Sequence, residues 1–233
     1  MKKIKLFCLP HAGASAMSYI KWKKYLHPSI ELFPIELAGR GKRLQEPLYS
    51  NYHDMIDDLY EIIKYEIIDT DYAFFGHSFG TLIICDLVNR IIQNKKKEPI
   101  KLFLSGKCPP HVKDGTNIHV LEDDDFINEV YKLGGIDDYL INNKEILKIF
   151  IPVLKEDYRL IETYNYKYSG IWNTDLVIIN GNIDASLDKD KLREWERYTS
   201  LSCEFFYFDG GHFYINDYFQ DIAKIINSKL ENV

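Results

Sequence analysis

Tyr72-Ala73-Phe74-Phe75-Gly76-His77-Ser78-Phe79-Gly80-Thr81 joins an apolar run to a helical segment through the pattern G-x-S-x-G. Tyr72 to Gly76 reads as a buried strand, and helical periodicity follows from Thr81, through Leu82 to Gln93. A serine at such a junction needs small residues two positions to either side, because the sharp turn brings strand and helix backbones too close for side chains. Gly76 and Gly80 meet that need. The turn lifts the Ser78 hydroxyl above the sheet and puts the Phe79 backbone N–H at a helix start, where it can stabilise an oxyanion. The bare pattern also arises by chance, so its meaning depends on the rest of the chain.

Working outward, apolar or β-branched runs recur at Ile4 to Leu9, Glu31 to Leu37, Lys101 to Ser105, Leu176 to Asn180 and Cys203 to Phe208. Each fits a buried strand. Helical periodicity fills Tyr52 to Ile68, Lys189 to Tyr198 and Tyr214 to Leu230. This alternation predicts an α/β fold with a mostly parallel sheet and helices on both faces. Residues 107 to 172 break it: no strand is evident, and Asp123 to Leu133 and Asn143 to Tyr166 both read as helices. That stretch is expected to be a helical insertion, rich in apolar and aromatic residues from Ile149 to Tyr168. Ordinary helix packing and a lid over an acyl pocket both account for them, and the two are compatible.

The 233 residues, 46% hydrophobic and 27% charged, suit a single globular domain and exclude a disordered chain. A formal charge of −6 argues against a nucleic-acid binder, since phosphate backbones demand a cationic surface. Cys8, Cys85, Cys108 and Cys203 are scattered with no C-x-x-C pair, so neither a metal site nor a disulfide framework is expected, and a reducing cytoplasm is the natural setting. Pro10 and His11 end the first apolar run too early for a signal segment. Nowhere do about 18 apolar residues follow one another, so no membrane span is expected.

A nucleophile turn requires an acid and then a histidine on loops beyond later strands. Leu176 to Asn180 runs into Gly181-Asn182-Ile183-Asp184, and Cys203 to Phe208 runs into Asp209-Gly210-Gly211-His212-Phe213. Asp184 is the candidate acid and His212 the candidate base, giving a Ser78, Asp184, His212 triad on an α/β-hydrolase fold. In isolation Asp184 reads as turn chemistry and His212 as a helix-start residue; the order of the three, each just past a strand, favours the triad. Asp188 and Asp190 suit the start of the next helix, and Asp209 stands too near His212 to orient it. Leu9-Pro10-His11-Ala12-Gly13-Ala14-Ser15 supplies the second oxyanion loop, with Ala12 the expected N–H donor. His11 precedes the nucleophile, so His11 and His77 read as structural or pocket-lining.

Together, Leu9 to Ser15, Glu36-Leu37-Ala38-Gly39-Arg40-Gly41-Lys42-Arg43, the Gly76 to Gly80 turn, Leu104-Ser105-Gly106 and Gly210-Gly211-His212-Phe213 carry a resemblance. The chain resembles the discrete type II thioesterases of nonribosomal peptide and polyketide synthases and the related medium-chain fatty-acid thioesterases. Ala14 stands where that family often has a second glycine, Ala38 where it often has proline, and Asn182-Ile183-Asp184-Ala185 where it often has Asp-x-Asp-Pro. None of these departures removes a catalytic side chain. The resemblance implies hydrolysis of an acyl or aminoacyl thioester on the phosphopantetheine arm of an acyl or peptidyl carrier protein. It implies no cofactor beyond that arm; a monomer is expected.

The cluster Arg40-Gly41-Lys42-Arg43 is either a contact for an acidic carrier or its phosphate, or a solvated loop whose arginine ties down neighbouring backbone. Lys95-Lys96-Lys97 reads as a solvated helix end. A small-molecule carboxylesterase, a medium-chain acyl thioesterase and a catalytically silent binding module on the same fold are the competing functions.

Overall fold

Six strands form one parallel sheet: β1 (Ile4–Leu9), β2 (Ile30–Pro34), β3 (Tyr72–His77), β4 (Lys101–Ser105), β5 (Asp175–Gly181) and β6 (Cys203–Phe208), in the order β2-β1-β3-β4-β5-β6. The computed structural model describes residues 3–113, 115–136, 138–168 and 170–231; positions 114, 137 and 169 of the expected insertion lie outside the described residues. Every residue of β3 and β4 is buried, because helices cover both faces of the central strands. Alternate side chains divide the interior. Phe74, Leu102, Leu104, Leu176 and Ile178 pack towards α1 (Tyr52–Ile63) and α2 (Phe79–Gln93). Ala73, Phe75, Phe103, Val177 and Ile179 pack on the other face, with Tyr19 and Trp22 of a 3-10 helix (Ala16–Lys24) and with Ile222 and Ile226 of α7 (Ile215–Leu230).

Among the described residues from 107 to 171 there is no strand; α3 (Asp123–Lys132), α4 (Asp138–Ile141) and α5 (Lys144–Glu162) occupy the stretch. Phe126, Ile127, Val130, Ile136 and Leu154 form a small core of their own there, and Ala12 packs against both this cluster and the main one. Among the described residues, no helix is long and apolar enough to cross a membrane.

Several boundaries differ from the sequence reading. β2 ends at Pro34, yet Ile35 and Leu37 are buried, because the loop beyond this edge strand lays its apolar residues on the α1 side of the core. α1 stops at Ile63 and turns follow, while the segment from Lys189 splits into α6 (Lys189–Leu192) and a 3-10 helix (Arg193–Tyr198). α2 begins at Phe79 directly after the serine.

Parallel pairing puts the C-terminal ends of all six strands on one edge: Leu9 lies opposite Gly76, His77 opposite Ser105, and Gly181 opposite Phe208. The candidate residues therefore gather there, as is general in open parallel sheets. The glycines make this possible. A Cβ at Gly76 would lie 2.5 Å from the Gly80 carbonyl carbon, and one at Gly80 would lie 2.2 Å from the Leu9 carbonyl oxygen. Gly80→Ala should thus lower the unfolding free energy in urea by about 2 kcal/mol or more, whereas Gly211→Ala, whose Cβ would meet nothing within 4 Å, should stay within about 0.5 kcal/mol. Equal costs for the two would contradict the close approach.

Candidate active site

Ser78 caps α2 with φ 54° and ψ −111°, a left-handed backbone that a non-glycine residue adopts only under constraint. The constraint comes from both sides. The Ser78 N–H donates to the Ser105 carbonyl at 2.8 Å, fastening the turn to β4. The buried Thr81 hydroxyl lies 2.9 Å from the Gly76 carbonyl and receives the Ser105 N–H at 3.2 Å, bracing the turn from behind. Phe79 follows at the first helical position, where a backbone N–H has no partner within the helix.

The acid and histidine loops are zipped together by Asn182. Its Nδ2 donates to Asp209 at 2.6 Å and its Oδ1 accepts the Gly210 N–H at 3.2 Å. This gives Asp209 a partner of its own and leaves Asp184 for the imidazole. His212 Nδ1 lies 2.7 Å from Asp184 Oδ2, and Asp184 is 2% exposed. With Nδ1–H donating to the carboxylate, Nε2 carries the lone pair a general base needs. Ser186 was missed by the sequence reading. Its hydroxyl donates to Asp184 Oδ1 at 2.6 Å, its N–H donates to the same oxygen at 2.9 Å, and Oγ lies 3.0 Å from His212 Nδ1. The signal available in sequence was the spacing, since an Asp readily bonds the backbone two residues on. Burial pushes the Asp184 carboxyl up, but the bonds from His212 and Ser186 outweigh it and hold its pKa below the usual value.

Ser78, His212, Ser186 and Ala12 open on one cavity of about 270 Å³, whose other walls are Thr116, Ile118, Leu133, Tyr158 and Ile161 of the helical stretch and the buried Lys107. A second cavity of about 190 Å³ shares Lys107, Thr116 and Ile161 and reaches Glu162 and Tyr164. His11 and His77 sit behind the triad, with ring centroids 5.8 Å apart and His77 5.1 Å from His212. Tyr214 donates to the Ile179 carbonyl at 2.8 Å, so it accepts from Ser105 at 2.6 Å, and Ser105 in turn accepts from His77 Nδ1 at 2.8 Å. That relay sets the His77 tautomer. Burial, reinforced by the nearby His212, lowers His11 to about 4 and holds His77 well below the ordinary value, so both rings are neutral beside the imidazole. Among the described residues no cluster of three or more His, Cys, Asp or Glu is placed to hold a metal ion.

The Thioesterase domain family matches residues 4–230. The chain belongs to the thioesterase family. Thioesterase PikA5 of Streptomyces venezuelae is 30% identical over 227 residues, covering 97% of this thioesterase and 81% of that protein. Among solved structures, ClbQ of the colibactin NRPS/PKS pathway is 35% identical with a TM-score of 0.95, covering 99% of this chain and 98% of that one. The type II thioesterase BorB of the borrelidin biosynthetic cluster is 25% identical with a TM-score of 0.87, covering 97% and 92%. The fold is thus the α/β-hydrolase architecture expected from the strand-helix alternation together with the Gly76 to Gly80 turn and the order Ser78, Asp184, His212.

The basic cluster of this thioesterase does not act as one unit. Arg40 is 6% exposed and forks onto Asp157 of α5 at 2.6 and 2.8 Å, while also reaching the Ala14 carbonyl at 3.3 Å. Arg43 is bound to Glu46, Asp58 and the Glu36 carbonyl. Arg40 and Arg43 are therefore tied to acids and backbone carbonyls of this chain, which favours, for these two residues, the reading of the cluster as a loop whose arginine ties down neighbouring backbone. Lys42 alone remains exposed, on an apolar groove of about 390 Å³ lined by Met17, Ile20 and Lys23.

Ser186→Ala tests the support of the acid. A carboxylate held below its unfolded pKa adds stability above about pH 4, and that stability is lost as pH falls through the lower native value. The variant should have a lower urea midpoint than the parent at pH 7, a gap that closes below about pH 4. Its kcat/KM should fall roughly tenfold, a small part of what general-base catalysis supplies. A gap independent of pH would assign Ser186 to packing alone.

Proposed function

We propose that this thioesterase hydrolyses acyl or aminoacyl thioesters from the phosphopantetheine arm of carrier-protein domains, clearing stalled or wrongly primed nonribosomal peptide and polyketide synthases. The observation that carries the reading is the buried Asp184–His212 pair opening with Ser78 on one cavity, in a chain similar to proteins named for such pathways. Ser78 is the nucleophile, His212 the general base and Asp184 the group that orients it. The Ala12 and Phe79 amides are the oxyanion donors.

His212 Nε2 takes the Ser78 proton as Oγ bonds to the thioester carbonyl, and the oxygen becomes an anion facing the two amides. Collapse breaks the C–S bond; the pantetheine sulfur leaves with the proton from His212, and the acyl group stays on Ser78. A thiolate leaves readily, so the imidazole matters most in the second half. There it removes a proton from water, hydroxide adds to the acyl-enzyme, and the Ser78 oxygen departs with that proton as the acid is released.

The chain acts as one hydrolase domain in which the stretch from 107 to 172 is the lid. Thr116, Ile118, Leu133, Tyr158 and Ile161 supply most of the wall facing the nucleophile, and this favours a cover over the acyl group beyond ordinary packing. It works in the cytoplasm as a monomer and needs no cofactor of its own, the pantetheine arriving with the substrate. The four cysteines are free, in keeping with a reducing compartment. An acidic carrier docks beside the Lys42 groove.

Hydrolysis of acyl- and aminoacyl-carrier proteins, measured beside the matching small thioesters and free esters, tests this. Carrier-bound thioesters should be preferred, and Lys42→Glu should raise KM for them several-fold while leaving small thioesters unchanged. A preference for free esters would overturn the assignment, and an equal effect on both thioester classes would remove Lys42 from the docking surface.

A further inference from the structure

The loop that carries Ala12 is not self-supporting. A backbone bond from Ala14 N–H to the His11 carbonyl at 3.1 Å closes its turn, and the next two anchors come from far along the chain. The Gly13 N–H donates to Asp157 Oδ2 at 2.7 Å, and the Ala14 carbonyl accepts from Arg40 Nη1 at 3.3 Å. Arg40 and Asp157 are themselves joined by two parallel bonds of 2.6 and 2.8 Å, and Asp157 is 1% exposed. One ion pair therefore grips the Ala12–Gly13 and Ala14–Ser15 peptide units.

Packing reinforces the grip. Gly13 has φ +74°, and a Cβ there would lie 2.7 Å from Leu154 and 2.8 Å from Phe150. Phe150, Leu154 and Asp157 are spaced i, i+4, i+7, one face of α5, so the loop rests directly on that face. Such a pair is a poor source of net stability, because desolvating both ions offsets their attraction, and apolar groups of the same shape often do as well. What a planar guanidinium holding a carboxylate through two bonds does provide is direction. Here one carboxylate oxygen is aimed at a single backbone N–H, one residue beyond the amide that faces the nucleophile.

We propose that Asp157, oriented by Arg40, is a positioning residue for the oxyanion loop, so that stabilisation of the tetrahedral intermediate requires α5 to be seated against Gly13. The inference rests on the assignment of Ser78 as nucleophile and Ala12 as oxyanion donor. It makes α5 the fixed part of the insertion: lifting this helix would release the Ala12–Gly13 peptide and, through Ala12, the adjoining His11–Ala12 peptide whose N–H is the anion donor.

The test compares three variants with the parent on an acyl-N-acetylcysteamine thioester and with an alkyl boronic acid, whose tetrahedral adduct on Ser78 mimics the anion. Arg40→Met/Asp157→Leu removes both charges and leaves neither buried alone. Its kcat should fall roughly 10- to 100-fold, less than the roughly 100- to 1000-fold for outright loss of one oxyanion donor because the amide is misplaced and not removed, with KM within about twofold and boronate affinity reduced in parallel. Arg40→Met/Asp157→Asn keeps an acceptor for the Gly13 N–H and should recover most of the loss. Arg40→Lys retains the charge and the fold but not the fork, and should lower kcat several-fold. Parental kcat in a folded Arg40→Met/Asp157→Leu variant or in Arg40→Lys overturns the proposal, as does a loss confined to KM or to thermal stability. A parent inert towards the thioester and the boronate would overturn the nucleophile assignment itself, which separates the two failures.

Discussion

Everything at the carboxyl edge of the sheet depends on a serine held at positive φ between a buried strand and a helix. β3 and α2 converge on Ser78 so closely that neither Gly76 nor Gly80 has room for a Cβ. The turn therefore cannot relax, and Thr81 and the Ser105 carbonyl hold it from below. Strain at such a point is sustained by the surrounding packing, and it is useful because it projects one hydroxyl beyond the strand ends, where loops from β1, β5 and β6 also arrive. The parallel register does the remaining work of assembly: residues distant in the chain share one edge.

The electrostatics of that edge follow from what surrounds each ionisable group. Asp184 is buried yet stays ionised, because His212 and two donors from Ser186 face it. His77 is buried and His11 half-buried, and desolvation keeps both neutral, which leaves His212 as the imidazole of the three paired with Asp184. Across the cavity, residues of the 107–171 stretch line the site, and the Arg40–Asp157 pair ties α5 to the loop bearing Ala12.

Much of this was readable from the residues. The strand runs, the two glycines, and the order Ser78, Asp184, His212 identified both the sheet and the residues at its edge, because period, turn chemistry and chain order are local properties. What escaped was set by contacts between distant segments. Glu31 to Leu37 looked like one strand because Ile35 and Leu37 are apolar, whereas their burial comes from a loop folding over an edge. The sequence left Arg40 and Arg43 open between a carrier contact and a backbone tie because two of their acids, Asp157 and Asp58, lie 117 and 15 residues away. Ser186 was overlooked because its value lies in a bond to Asp184 that only the folded loop defines.

Reaction with a fluorophosphonate, followed by peptide mass mapping, tests the triad most directly. One equivalent should add to Ser78, with the rate falling at least roughly 100-fold in His212→Ala, the lower range for a lost general base. Labelling at another residue, or at Ser78 with a rate indifferent to His212, would contradict the assignment of these side chains as nucleophile and base.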